Sequence, residues 1–204
     1  MALTDGRYVT ATQLRDHVGV ADVLDDVRLQ VALSAAETWV DEWCGRKFDA
    51  SSHGHGGGSV STRTYVVSDP YVVQIGDMSN TTGLIVVDNG TTLGSSGFQL
   101  EPVDAPEHGR PWTQIRRMGN TWAIPTDFGR ASVSVTAHWG WPVVPDPVVR
   151  ATLAAAGWLF AGSSAPLGIA GANEFGPMRL AQLPPLVGAL LATYRRGDRA
   201  IGIA

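Results

Sequence analysis

Residues 22–44 constrain the fold more than any other stretch of this chain. Leu29, Leu33, Ala36, Val40 and Trp43 recur at steps of four, three, four and three, which lays one apolar stripe along a helix. Asp22, Asp25 and Asp26 stand in the first turns, where the macrodipole favours carboxylates, and Gly45 followed by Arg46 and Lys47 marks the stop. At 1.5 Å of rise per residue the stretch would reach about 35 Å, so other elements have to pack along it.

A second, shorter helix is expected just before it. Thr10 can cap residues 11–18, Leu14 and Val18 are four apart, and Gly19 closes the turn. Isolated helices below about 12 residues are marginal in water, so this one is expected to fold back on the long helix as a helical hairpin. Cys44, the only cysteine, lies at the end of the apolar stripe. No disulfide within one chain is possible, and a buried, inert thiol is expected.

The composition changes after Phe48. Residues 51–59 hold only Ser, His and Gly, a loop with no apolar anchor. Short pieces rich in β-branched and aromatic residues follow at 62–67, 71–75, 84–87, 98–100, 112–116 and 132–139, each bounded by Gly, Pro, Asn or Asp. Asp88-Asn89-Gly90 is a tight-turn signal, and residues 132–137 alternate strictly between polar and apolar. The middle of the chain therefore reads as antiparallel β.

Helical signals return at Asp146-Pro147, a cap and a first helical proline, followed by Val148, Leu153, Ala156 and Phe160. Residues 163–177 form a long glycine-rich connection carrying Leu167, Ile169 and Phe175, with Met178 just beyond. Connections of that length tend to be functional, and apolar groups on one call for a partner surface. A last helix begins near Leu183-Pro184-Pro185, carries Leu186, Leu190 and Leu191, and ends at Tyr194-Arg195-Arg196-Gly197. The tail beyond it mixes Arg199 with Ile201 and Ile203.

Charge and motifs narrow the function. A net charge of -4, with no basic stripe before the final residues, disfavours a nucleic-acid binder that works by neutralising phosphates. The N-terminus lacks a signal-peptide pattern and no run of about 18 apolar residues occurs, so a soluble protein made in a cytoplasm, without a membrane partner, is expected. His53 and His55 lack a third ligand at a known spacing, and the glycine run lacks the Lys-Ser/Thr ending of a phosphate loop. Neither Gly94-Ser95-Ser96-Gly97 nor Gly162-Ser163-Ser164 has the nucleophile-elbow pattern. No catalytic residue, metal or cofactor is expected. Asp25-Asp26 and Asp41-Glu42 are neighbours that diverge around a helix, hence solvated faces. Trp139 and Trp141 are expected to fill a seam between layers, and seven tryptophans favour protein contact surfaces.

Four segments, in this order and spacing, carry a resemblance. They are Tyr8-Val9-Thr10-Ala11-Thr12-Gln13-Leu14, the helix end running from Trp39 through Trp43 to Phe48, Gly140-Trp141-Pro142 leading into the helix from Pro147, and Ala165-Pro166-Leu167-Gly168 through Glu174-Phe175-Gly176 to Arg195-Arg196. Together they resemble the head-tail adaptor, or head completion, family of long-tailed bacteriophages, and residues 50–137 resemble the β insertion of adaptors from phages of actinobacteria. The resemblance implies an α+β fold, with residues 1–49 and 138–196 as a helical bundle, 50–137 as an antiparallel β-rich insertion and 197–204 as a tail. It implies a non-enzymatic virion protein, assembled in the host cytoplasm, that forms a ring of typically twelve copies below the portal protein. Such a ring extends the DNA channel, without sequence-specific DNA binding, towards a stopper or tail-completion protein. Arg195, Arg196, Arg199, Ile201 and Ile203 would then dock on the portal, and Leu167, Ile169, Phe175 and Met178 would contact a neighbour. Two other readings stay open: a tail or carbohydrate-binding module using Trp112, Trp122 and Trp139 as stacking groups, and a hydrolase using His53 and His55 or a hidden triad.

Overall fold

A computed structural model of the chain describes residues 3–48, 60–125, 130–163, 169–173, 176–179 and 185–196, the backbone alone for 169–173 and 176–179. Among the described residues it holds four α-helices and two antiparallel sheets, a mixed α+β architecture. The chain divides into two compact units, one of residues 1–48 and 144–197, the other of residues 49–143 and 198–204.

In the first unit, α1 spans Ala11–Val18, α2 Asp26–Cys44, α3 Asp146–Ser163 and α4 Pro185–Leu191. Thr10 and Gln13 form the reciprocal capping box that starts α1, and Gly19 ends it at φ 71°. α2 begins four residues later than its acidic run suggests. The Asp22 carboxylate accepts the Leu24 amide at 3.0 Å, so residues 22–25 form a turn that competes with helix. Its far end is as read, with Gly45 left-handed and Arg46 N–H donating to the Asp41 carbonyl.

The expected hairpin of α1 on α2 is replaced by another pairing: α1 packs on α3, as do α2 and α4. Gly157 of α3 makes this possible, since a Cβ there would stand 3.2 Å from the His17 ring of α1. α3 carries only two charges, Asp146 and Arg150, and serves as the apolar centre of the unit. Asp146 lies in its first turn rather than before it, and the Pro145 carbonyl accepts the Val148 amide at 2.9 Å. Leu29, Leu33, Ala36 and Val40 are buried as predicted, but Cys44 completes the stripe and Trp43 points outward at 42% exposure. The connection after α3 is not wholly irregular: Ile169–Asn173 (β7) and Gly176–Arg179 (β8) pair as a two-stranded hairpin.

The second unit is a sheet in the order β1-β6-β2-β5-β4, with β3 paired to β2. Its strands are β1 Val60–Tyr65, β2 Val72–Asp88, β3 Thr91–Thr92, β4 Phe98–Glu101, β5 Trp112–Arg117 and β6 Val133–Trp139. Two of the expected short strands are thus one strand, β2, whose first half pairs with β5 and whose second half pairs with β6. The pairing with β6 shifts register between Met78 and Asn80 and again between Asn80 and Ile85, where the polar, glycine-containing residues lie. The β2–β3 turn uses Asn89 and Gly90 at φ 44° and 83°, the pair of left-handed residues a tight hairpin requires. On β6, Val133, Val135, Ala137 and Trp139 face the core in strict alternation.

Candidate interaction surface

Three faces of α2 do different things. The first packs on the core. The second is a polar seam that receives the N-terminal arm. Asp26 accepts the Leu3 amide at 3.0 Å, Gln30 the Thr4 amide at 2.8 Å and Glu37 the Tyr8 amide at 2.9 Å. Arg7 reaches Asp41 at 2.6 Å, and the Tyr8 hydroxyl donates to the same carboxylate while accepting the Phe48 amide at 2.9 Å. Gly6 is needed here, because a Cβ would collide with Glu37 Oε1.

Asp26 and Asp41 are therefore not the solvated residues their sequence neighbours suggested. Asp26 is buried and ion-paired with Arg15, and Asp41 is held between Arg7 and Tyr8. Burial, with the Asp41 carboxylate beside it, pushes the Tyr8 phenol far above its ordinary pKa, so it stays a donor. Burial also raises the Glu37 carboxyl and pushes the Cys44 thiol up to about 11.

The third face looks away from the core and is apolar. Val27 and Val31 are 52% and 65% exposed, and Val23 and Leu24 in the turn before them are 69% and 86% exposed. A groove of about 690 Å³ runs along this face, lined by Val27, Gln30, Val31, Ser34, Ala35, Thr38, Trp39 and Glu42. At its C-terminal end Trp39 and Trp43 stack with centroids 5.2 Å apart, and the Arg195 guanidinium sits 5.6 Å over the Trp43 ring. The α2 end is fastened there, since Arg196 N–H donates to the Cys44 carbonyl at 2.7 Å. The sequence carried a sign of this face: Val27, Val31, Ala35 and Trp39 are spaced by four, a second stripe beside the core stripe.

The other expected groups fall as follows. Ile169 and Met178 lie on β7 and β8, while Leu167, Phe175, Arg199, Ile201 and Ile203 lie outside the described residues, as do His53 and His55. Trp122 and Trp139 are buried in the sheet core, their ring N–H groups donating to the Tyr71 and Ser61 carbonyls at 3.2 and 2.8 Å. Trp141 is buried too and donates to Asp77 at 3.2 Å. A sugar-stacking platform of Trp112, Trp122 and Trp139 is therefore not formed: two are enclosed, and Trp112 packs against the same core. Among the described residues no group of three or more His, Cys, Asp or Glu could hold a metal. No helix among them is long and apolar enough to cross a membrane.

The fold is similar to that of chains in gene transfer agent particles. The chain is similar over 98% of its length, and 97% of the other, to one in the neck of an empty gene transfer agent (GTA) particle computed with C6 symmetry, at 18% identity and a TM-score of 0.56. A chain in the neck of the native particle, computed with C12 symmetry, matches over 92% of this chain and 91% of that one, at 19% identity and a TM-score of 0.50. A third, from the virion of the native particle, matches over 96% and 93% at 20% identity and a TM-score of 0.50. No protein-family model and no curated protein matches the chain.

Proposed function

We propose that this protein is a structural component of a virion neck, a head-tail adaptor that forms a ring below the portal and carries the DNA channel towards the stopper or tail. The observation that carries the reading is the near end-to-end likeness of fold to chains of a particle neck, in structures computed with sixfold and twelvefold symmetry. An independent support is the order of motifs from Tyr8 to Arg196, which resembles the adaptors of long-tailed phages. In this reading the helices of residues 1–48 and 144–197 form the ring body, and the β unit is an insertion into it.

The copy number is twelve, and the protein joins the virion after being made in the host cytoplasm. Arg195, Arg196, Arg199, Ile201 and Ile203 form the end that docks on the portal, and Leu167, Ile169, Phe175 and Met178 belong to a segment clasped by a neighbour. Its role is non-enzymatic. A net charge of -4 suits a channel wall, because a surface that held phosphates tightly would retard DNA passage. Deleting the gene from its locus tests the proposal: DNA-filled heads without tails are expected, and intact tailed particles of normal yield would refute it.

A further inference from the structure

Among the described residues, nothing covers the outward face of α2. Its apolar residues, Val27 and Val31 with Val23 and Leu24 ahead of them, stand on the side of the helix opposite the stripe that packs on the core. A helix that is apolar on opposite sides sits between two layers, and the described residues of this chain supply only one of them. From Val27 to Trp43 the face runs about 24 Å.

We infer that this face seats the next copy of the same chain in the ring, an inference that rests on the neck reading above. A ring with one rotation axis joins each copy to the next through two different surfaces, so every copy needs a face of this kind and a complement to it elsewhere. The groove has the composition of a contact core: small uncharged Ser34 and Thr38, one charge at Glu42, and the stacked Trp39–Trp43 pair as aromatic anchor. An apolar surface with a cation near the exposed Glu42 would complement this groove, and the chain itself presents that chemistry. Arg150 stands exposed on α3 with half-buried Val149 and Leu153 beside it. The face also continues past Trp43 to Arg195 and to α4, where Leu186 is 61% exposed.

The test is a photo-crosslinking residue placed at Val31, and in a second variant at Val27, in the full chain expressed from its own locus so that particles form. Irradiated particles are expected to yield a product of two copies of the 21.6 kDa chain, with a ladder above it, joined through α2. Cross-links to a different neck protein, cross-links confined within one chain, or incorporation with no cross-link at either position would each overturn the inference and leave the neck reading standing. A chain missing from particles that assemble normally with the unmodified gene would overturn the neck reading itself. As a second arm, Val31→Asp is expected to cut incorporation at least tenfold while the purified variant keeps its helical circular dichroism. Incorporation at the unmodified level would again overturn the inference.

Discussion

Tyr8→Phe isolates the joint on which the end of α2 depends. The substitution keeps the ring, which meets Phe48 edge-on at 6.0 Å, and deletes only the hydroxyl. That oxygen donates to the Asp41 carboxylate and accepts the buried Phe48 amide at 2.9 Å. A hydrogen bond to a charged group is worth about 1.5–3 kcal/mol, and an orphaned buried N–H costs about 1–3 kcal/mol. Asp41 keeps Arg7 at 2.6 Å, and one hydroxyl no longer has to be desolvated, so the net loss should be about 2–3 kcal/mol rather than the sum. With a urea slope of about 1–3 kcal/mol per molar, the unfolding midpoint of the helical unit should fall by about 1 M. Amide exchange resolves it by residue, and Phe48 should lose protection. A double-mutant cycle with Asp41→Ala should show a coupling above about 1 kcal/mol, as expected for groups in direct contact. A loss under about 0.5 kcal/mol with the Phe48 amide still protected would refute the reasoning.

Other perturbations follow from the same contacts. Cys44 is fully buried and its thiol is pushed up to about 11, so it should resist alkylation at pH 8 in the folded chain and react promptly in denaturant. Gly6→Ala places a methyl against Glu37 and Leu33, and should cost about 1–3 kcal/mol by thermal unfolding, as overpacking does. Burial raises the Glu37 carboxyl above its ordinary 4.5, so between those values the folded state holds more protons than the unfolded one. Its contribution to stability therefore falls as pH rises through that window, and Glu37→Gln should flatten this slope in denaturation series across pH 4–8. Gly76→Ala would press on the Arg63 guanidinium, which covers the Trp139 ring at 4.3 Å, and should cost about 1 kcal/mol with a shift in tryptophan fluorescence.

Local signals translated well into local structure. The Thr10 cap, the glycines at 19 and 45, the Asn89-Gly90 turn and the alternation on β6 depend on neighbours in sequence, and each is present. What could not be read was decided by distant residues. Asp26 and Asp41 look like surface acids until Arg15, Arg7 and Tyr8 arrive from the N-terminal arm. β2 looks like two strands because residues 76–83 are glycine-containing and mostly polar, yet it runs as one strand that pairs first with β5 and then with β6. The α1 partner is not legible locally, because the room at Gly157 lies on α3, some 140 residues from His17. Likewise the outward stripe of α2 is visible as spacing, but only burial of the other stripe shows which one the described residues leave uncovered.

Imaging of the portal vertex of particles made from this chain's own locus tests the central claim most directly, at a resolution where helices are resolved. The account predicts twelve copies of this fold in one ring between portal and tail, with α2 at the boundary between adjacent copies. A neck complete without this chain, or the chain found only elsewhere on the particle, would contradict it.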